Sequence, residues 1–162
     1  MNIAIFEGIS SLRCFYTTQS SRFGTIDLQT KGVIWEIDSG SKVVGVFEAG
    51  EAIITLEFVA GSSVYTRRSA LDGALIWQAK VDGILNSVNA DDGAFFGNYF
   101  ITGGITSNGG QWSSQTLVIN IENGKIALLM TRQGNLASAA AISCDGLAFV
   151  HTARGVAVLA AT

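Results

Sequence analysis

The chain has no proline, one histidine and two cysteines in 162 residues. Each shortage closes off some chemistry. A lone histidine, His151 in "LAFVHTA", cannot build a multi-histidine metal centre, and no Gly-x-Ser-x-Gly elbow offers it a nucleophile. We read His151 as structural. Cys14 and Cys144 stand far apart in apolar contexts with no export signal, so they read as buried, reduced thiols. Charged residues make up only 14%, and the net charge is −3. The ten basic residues are scattered, and Arg67-Arg68 is the one adjacent pair. No clustered basic face exists to release counterions from nucleic acid. No run approaches the roughly 18–20 apolar residues of a membrane helix. The start, "MNIAIFEGIS", lacks a basic region and meets Glu7 too early for a secretory core. The expectation is a cytoplasmic protein with no nucleic-acid or membrane partner.

What is present is apolar and rich in glycine. Hydrophobic residues make up 48%, and there are 19 glycines to make turns without proline. The length suits one domain with a real core. Acidic-glycine landmarks recur after short apolar runs: "IAIFEG" ending at Gly8, "VGVFEAG" at Gly50, "VNADDG" at Gly93 and "AISCDG" at Gly146. Their spacings are 42, 43 and 53 residues. The longer third interval contains "GGITSNGGQWSSQ", which reads as an inserted polar loop over 103–115. A second landmark, "TIDLQTKGVIW" ending at Trp35 and "SALDGALIW" ending at Trp77, repeats at 42 residues. Within a period the Val-, Ile- and Thr-rich runs number four, separated by Gly, Asp or Ser. No helical stripe with caps is convincing.

A four-stranded unit repeated every ~40–45 residues is a propeller signature. The expected fold is therefore all-β and β-propeller-like, a single domain with units near 1–38, 41–81, 84–131 and 135–162. The last unit lacks its outer strand. A β-trefoil and a β-sandwich are the alternatives. Trp35, Trp77 and Leu128 are expected to pack between neighbouring units.

The repeats resemble quinoprotein-type (PQQ-like) or WD-like propeller repeats; in the quinoprotein type the third strand ends Ala-x-Asp-x-x-Thr-Gly-x-x-x-Trp. "VINIENGKIAL" places Asn120, Asn123, Gly124 and Leu128 at the Asp, Thr, Gly and Trp positions. "IDLQTKGVIW" keeps Asp27, Thr30 and Trp35, but Lys31 replaces the glycine. "ALDGALIW" keeps Ala70, Asp72, Gly73 and Trp77 and reads as two turn residues short. The resemblance implies seven or eight blades in a whole propeller, and here there are about four. It also implies a quinone, calcium and adjacent cysteines in the enzymes of that family. Cys14 and Cys144 are not adjacent, and no calcium-loop spacing appears. No cofactor or metal is expected.

No nucleophile–base pair, metal constellation or phosphate-binding loop is visible, so the expectation is a chain that is not an enzyme. The recurring acids Glu7, Glu48, Asp92 and Asp145 read as turn formers. The leading function is a protein-interaction module, such as an adaptor, inhibitor or immunity-type binder, presenting loops on a rigid scaffold. The alternative is a lectin-like carbohydrate binder using Trp112 with Gln111, Asn108 and Ser113. The uncharged run "GVAVLAAT", holding Val156 and Val158, is expected to be an edge that another strand covers. That strand is either the N-terminal run Asn2–Phe6 or a second chain, with a homodimer preferred.

Overall fold

A computed structural model describes the backbone except at residues 1, 9–10, 19–20, 83–92, 109–110, 134–139, 143–146, 153–154 and 161–162. Side chains are described for residues 13–18, 21–82, 93–104, 113 and 115–127. Every regular element among the described residues is a strand. The chain divides into two compact units, Met1–Lys80 and Val81–Thr162.

The first unit holds two four-stranded antiparallel meanders. One is β1 (Asn2–Gly8), β2 (Ser11–Thr17), β3 (Arg22–Asp27) and β4 (Val33–Asp38). The other is β5 (Val43–Ala49), β6 (Ala52–Val59), β7 (Ser62–Ser69) and β8 (Leu75–Asp82), whose last strand crosses the unit boundary. Burial follows strand position. β6, "AIITLEFV", is buried over six consecutive residues, Thr55 and Glu57 among them, as a strand covered on both faces should be. β8 alternates instead: Trp77, Ala79 and Val81 are buried while Gln78, Lys80 and Asp82 face solvent. Charges on the outer strands discourage edge-to-edge pairing.

The two sheets of this unit pack through Phe15, Phe23 and Trp35 against Val43 and Ile53. Trp35 sits edge-on to Phe23 with ring centroids 5.8 Å apart. Burying a cluster of this size contributes roughly 1.5–3 kcal/mol per large side chain. The seam is also polar. Thr25, Thr55 and Thr66 are fully buried, and Glu57 is nearly so. The Glu57 carboxylate accepts from Ser41 Oγ at 2.6 Å. Arg68 lies over the Phe23 ring, 5.7 Å from its centroid.

The second unit holds β9 (Gly93–Phe96), β10 (Tyr99–Asn108), β11 (Gln111–Asn120) and β12 (Ile126–Gln133) in one meander. A three-stranded sheet follows: β13 (Ala140–Ile142), β14 (Leu147–Thr152) and β15 (Gly155–Ala160). Phe100, Leu117 and Ile119 are fully buried, and Phe95 stacks on Phe100 at 4.9 Å.

Two expectations are corrected here. The polar loop over 103–115 is instead the outer half of a long hairpin. Gly103 pairs with Thr116 and Asn108 with Gln111, so the insertion lengthens two strands. Gly and Ser are poor strand formers in isolation, but ladder pairing overrides that weak preference. Gly93 is not the turn that matches Gly50. It opens β9, and the following turn falls at Gly97–Asn98, where Gly97 has φ 50. The N-terminal run Asn2–Phe6 lies in the first sheet. It forms β1 and pairs with β2 through seven residues, from Asn2↔Thr17 to Gly8↔Ser11.

Candidate interaction surface

The third and fourth strands of three sheets are joined by the same turn, built from different side chains. Asp27, Ser69 and Asn120 occupy its first position. Each donates its backbone N–H to the carbonyl five residues on: Gly32 at 2.9 Å, Ala74 at 2.9 Å and Lys125 at 2.8 Å. Each also accepts on its side-chain oxygen from the backbone N–H two residues on: Gln29 at 2.7 Å, Leu71 at 3.2 Å and Glu122 at 3.0 Å. Thr30, Asp72 and Asn123 then accept from Gly32, Ala74 and Lys125 at 3.4, 3.1 and 2.9 Å. Short polar side chains bonding to nearby backbone are what hold such turns.

The turn after β7 is therefore not two residues short. Ser69 fills the position of Asp27, and Asp72 that of Thr30. The backbone N–H groups of Thr30 and Gln29 hold the Asp27 carboxyl below its usual range. The Ser69 hydroxyl, then the Ala74 N–H, do the same for Asp72.

The turn of the second sheet docks on the first. The Ala70 carbonyl accepts from Trp35 Nε1 at 3.1 Å and from an Arg13 guanidinium nitrogen at 3.2 Å. Gly73 has φ 74, and a Cβ there would lie 2.8 Å from Trp35 Cε3. Arg68 donates to the Gly73 carbonyl at 3.2 Å. Burial lowers the Arg68 guanidinium's pKa, with the Glu57 charge opposing. Trp35 thus bridges the two sheets. Trp77 is buried on β8, and Leu128 lies on β12, where its side chain is outside the described residues.

On the other face of the first sheet, Tyr16 reaches across Gly24 to Glu36, donating its hydroxyl to Oε2 at 2.6 Å. A Cβ at Gly24 would collide with the Trp35 carbonyl. Arg22 pairs with the same carboxylate at 3.1 Å. Burial and the Glu36 bond push the Tyr16 phenol up to about 12.

Just past each of the three turns, the outer strand begins with exposed apolar residues. Val33 and Ile34 are 58% and 38% exposed, Leu75 and Ile76 are 58% and 47%, and Ile126 is 40%. Leu71, in the turn before β8, is exposed too. Isolated exposed apolar residues are ordinary, but the same position exposed in three sheets is not scatter. The binding contact expected from the sequence lies elsewhere, although this signal was legible: two apolar residues precede both Trp35 and Trp77 where strand alternation allows one.

The other candidate residues are placed as follows. Asn108, Gln111, Trp112 and Ser113 come together at the end of the β10–β11 hairpin, where Ser107 pairs with Trp112 and Thr106 with Ser113. Val156 and Val158 lie on β15, paired with His151 and Phe149 of β14. Cys14 is buried and forms no disulfide, and burial pushes its thiol up. Glu48 is exposed on β5 and Glu7 lies on β1; Asp92, Cys144 and Asp145 lie outside the described residues. Among the described residues, no three His, Cys, Asp or Glu side chains group as metal ligands. Among the described residues, no helix is long and apolar enough to cross a membrane.

No family model matches this sequence, and no curated protein matches it. Solved structures match it in shape. A europium-containing methanol dehydrogenase aligns over 97% of this chain and 40% of its own length, with a TM-score of 0.61 and 12% identity. The Pan2 WD40 domain of Neurospora crassa aligns over 99% of this chain and 52% of its own, with a TM-score of 0.60 and 10% identity. This chain spans about half or less of either. At such identities the likeness establishes the fold alone: this is an all-β, propeller-like protein built of repeated antiparallel sheets.

Proposed function

We propose that this chain is a non-catalytic protein-interaction module, presenting repeated apolar contacts on a stiff β scaffold. One observation carries the reading. Val33–Ile34, Leu75–Ile76 and Ile126 stand exposed at one position of three sheets, each beside a turn whose backbone is tied by its own side chains. Rigid apolar anchors lose little entropy when a partner covers them, which is what a binding surface needs. The test uses the purified chain as bait. A stoichiometric protein partner retained by the wild type and lost with Leu75→Asp/Ile76→Asp supports the reading. Equal retention by that variant overturns it, provided its strand-rich circular dichroism is unchanged.

The carbohydrate reading has its own support: the hairpin brings Asn108, Gln111, Trp112 and Ser113 to one tip. A glycan-array signal lost in Trp112→Ala favours it. For self-assembly we propose a homodimer through β15, which pairs with β14 along one edge. An unprotected, uncharged edge invites such pairing. Sedimentation showing a monomer would discard the dimer. We place the protein in the cytoplasm, a reading that fractionation tests.

A further inference from the structure

We infer that Asn123 is a site of spontaneous covalent conversion to aspartate, and that its turn is built to accept the product. The chain holds Asn-Gly at 108–109 and at 123–124, and glycine offers no side chain to hinder the attack of its backbone nitrogen on the side-chain carbonyl carbon before it. Asn123 is exposed. Its Oδ1 accepts the Lys125 backbone N–H at 2.9 Å, which folds the amide back along its own main chain toward Gly124. That donor also polarises the side-chain carbonyl and steadies the negative charge that develops on Oδ1 during attack. The opposing feature is the Gly124 N–H, which donates to the Asn120 carbonyl at 2.9 Å at the solvent-facing tip.

The step balances without an outside oxidant or reductant. The Gly124 nitrogen loses its proton and bonds to Asn123 Cγ; the Cγ–N bond of the side-chain amide breaks, and ammonia leaves. Water then opens the cyclic imide. Opening at the main-chain carbonyl carbon lengthens the backbone. Opening at the side-chain carbonyl carbon leaves an ordinary aspartate.

The sister turns show that the aspartate product fits. Asp72 holds the equivalent position and accepts the Ala74 N–H at 3.1 Å, and Thr30 holds it in the first sheet. Conversion takes the net charge one unit below −3. The new carboxylate lies beside Glu122 and three residues from the exposed Ile126. If the proposed interaction reading holds, conversion tunes the third apolar contact, and this consequence rests on that reading.

The experiment incubates the folded full-length chain at mildly alkaline pH, with the urea-denatured chain alongside, and maps peptides by mass. The expected result is a gain of one mass unit at Asn123 in the folded chain, ahead of Asn98 and Asn120, which precede tyrosine and isoleucine. Asn123→Thr, carrying the side chain of Thr30, should keep the strand signal and abolish the gain at that peptide. Asn123 unchanged in the folded chain once the denatured chain has converted would overturn the proposal. Mass at Asn123 is read without any partner, so failure of the interaction reading leaves this test standing.

Discussion

The first and second sheets close their third and fourth strands with one hydrogen-bond pattern and almost no shared residues. Asp27, Thr30, Lys31 and Gly32 in one stand against Ser69, Asp72, Gly73 and Ala74 in the other, yet both place a tryptophan four residues after the left-handed position. The comparison separates what the turn requires from what it tolerates. Short oxygen-bearing side chains at two positions are required, because two backbone N–H groups need acceptors at a solvent-facing tip. Which side chain supplies the oxygen is tolerated. A further difference is in docking: Gly73 lies against Trp35 of the neighbouring sheet, whereas Lys31 is exposed.

The largest expected break in the comparison comes from Gly73→Ala. The left-handed backbone at φ 74 disfavours any Cβ, and this one would press on Trp35 Cε3 and Ile37 Cδ1, both within 2.9 Å. Strain and overpacking together should cost about 3 kcal/mol in chemical denaturation. A loss below about 1 kcal/mol would mean that the turn does not dock on Trp35.

Trp35→Phe probes the same joint from the other side. It keeps an aromatic against Phe15 and Phe23 but removes the indole N–H from the Ala70 carbonyl. The expected loss is about 2 kcal/mol, part volume and part hydrogen bond. Arg13 still donates to that carbonyl, which limits the damage.

The repeat was legible because strands, turns and tryptophans leave periodic marks. The polar seam was not. Nothing in "TLEFV" marks Glu57 as buried, and only the fold shows it packed against Ser41. The two missing turn residues were a misreading of chemistry: Ser69 does the work of an aspartate, and a pattern search for Asp aligns past it. The 103–115 stretch misled for a related reason. Its Gly, Ser and Asn residues signal a loop locally, while the strands beside them set the actual structure. The apolar pairs before the tryptophans were visible as letters. Their meaning depended on the first two residues of the outer strand being open on both faces.

The residue after each tryptophan extends the comparison to pH. In the second sheet, Gln78 donates directly to Thr66 Oγ1 at 3.2 Å. In the first, Gly24 clears the way for Tyr16 to reach Glu36. The Tyr16 phenol is raised from 10 to about 12, so the fold favours its protonated form. That stabilisation is fully present below pH 10 and is lost as pH rises toward 12. Stability of the wild type should fall across this window. Tyr16→Phe should cost about 1–2 kcal/mol at pH 7 and flatten the fall. An unchanged slope in the variant would assign the alkaline loss to another group.

The smallest effect, and the only expected gain, is Lys31→Gly. Lys31 has φ 57, while its counterparts Gly73 and Gly124 have φ 74 and φ 72. A lysine Cβ in that region costs about 1–2 kcal/mol relative to glycine. Glycine also loosens the unfolded chain, which returns part of that advantage. The net expectation is about 0.5–1 kcal/mol of added stability, read as a higher denaturation midpoint at unchanged slope. Lys31 is exposed, so no packing is lost. Gly32 follows it, and its N–H already has the Thr30 hydroxyl as acceptor, so the turn keeps its bonds. A destabilised Lys31→Gly would show that the lysine side chain makes a contact outweighing its backbone strain. The first turn would then differ from the second by more than a misplaced glycine.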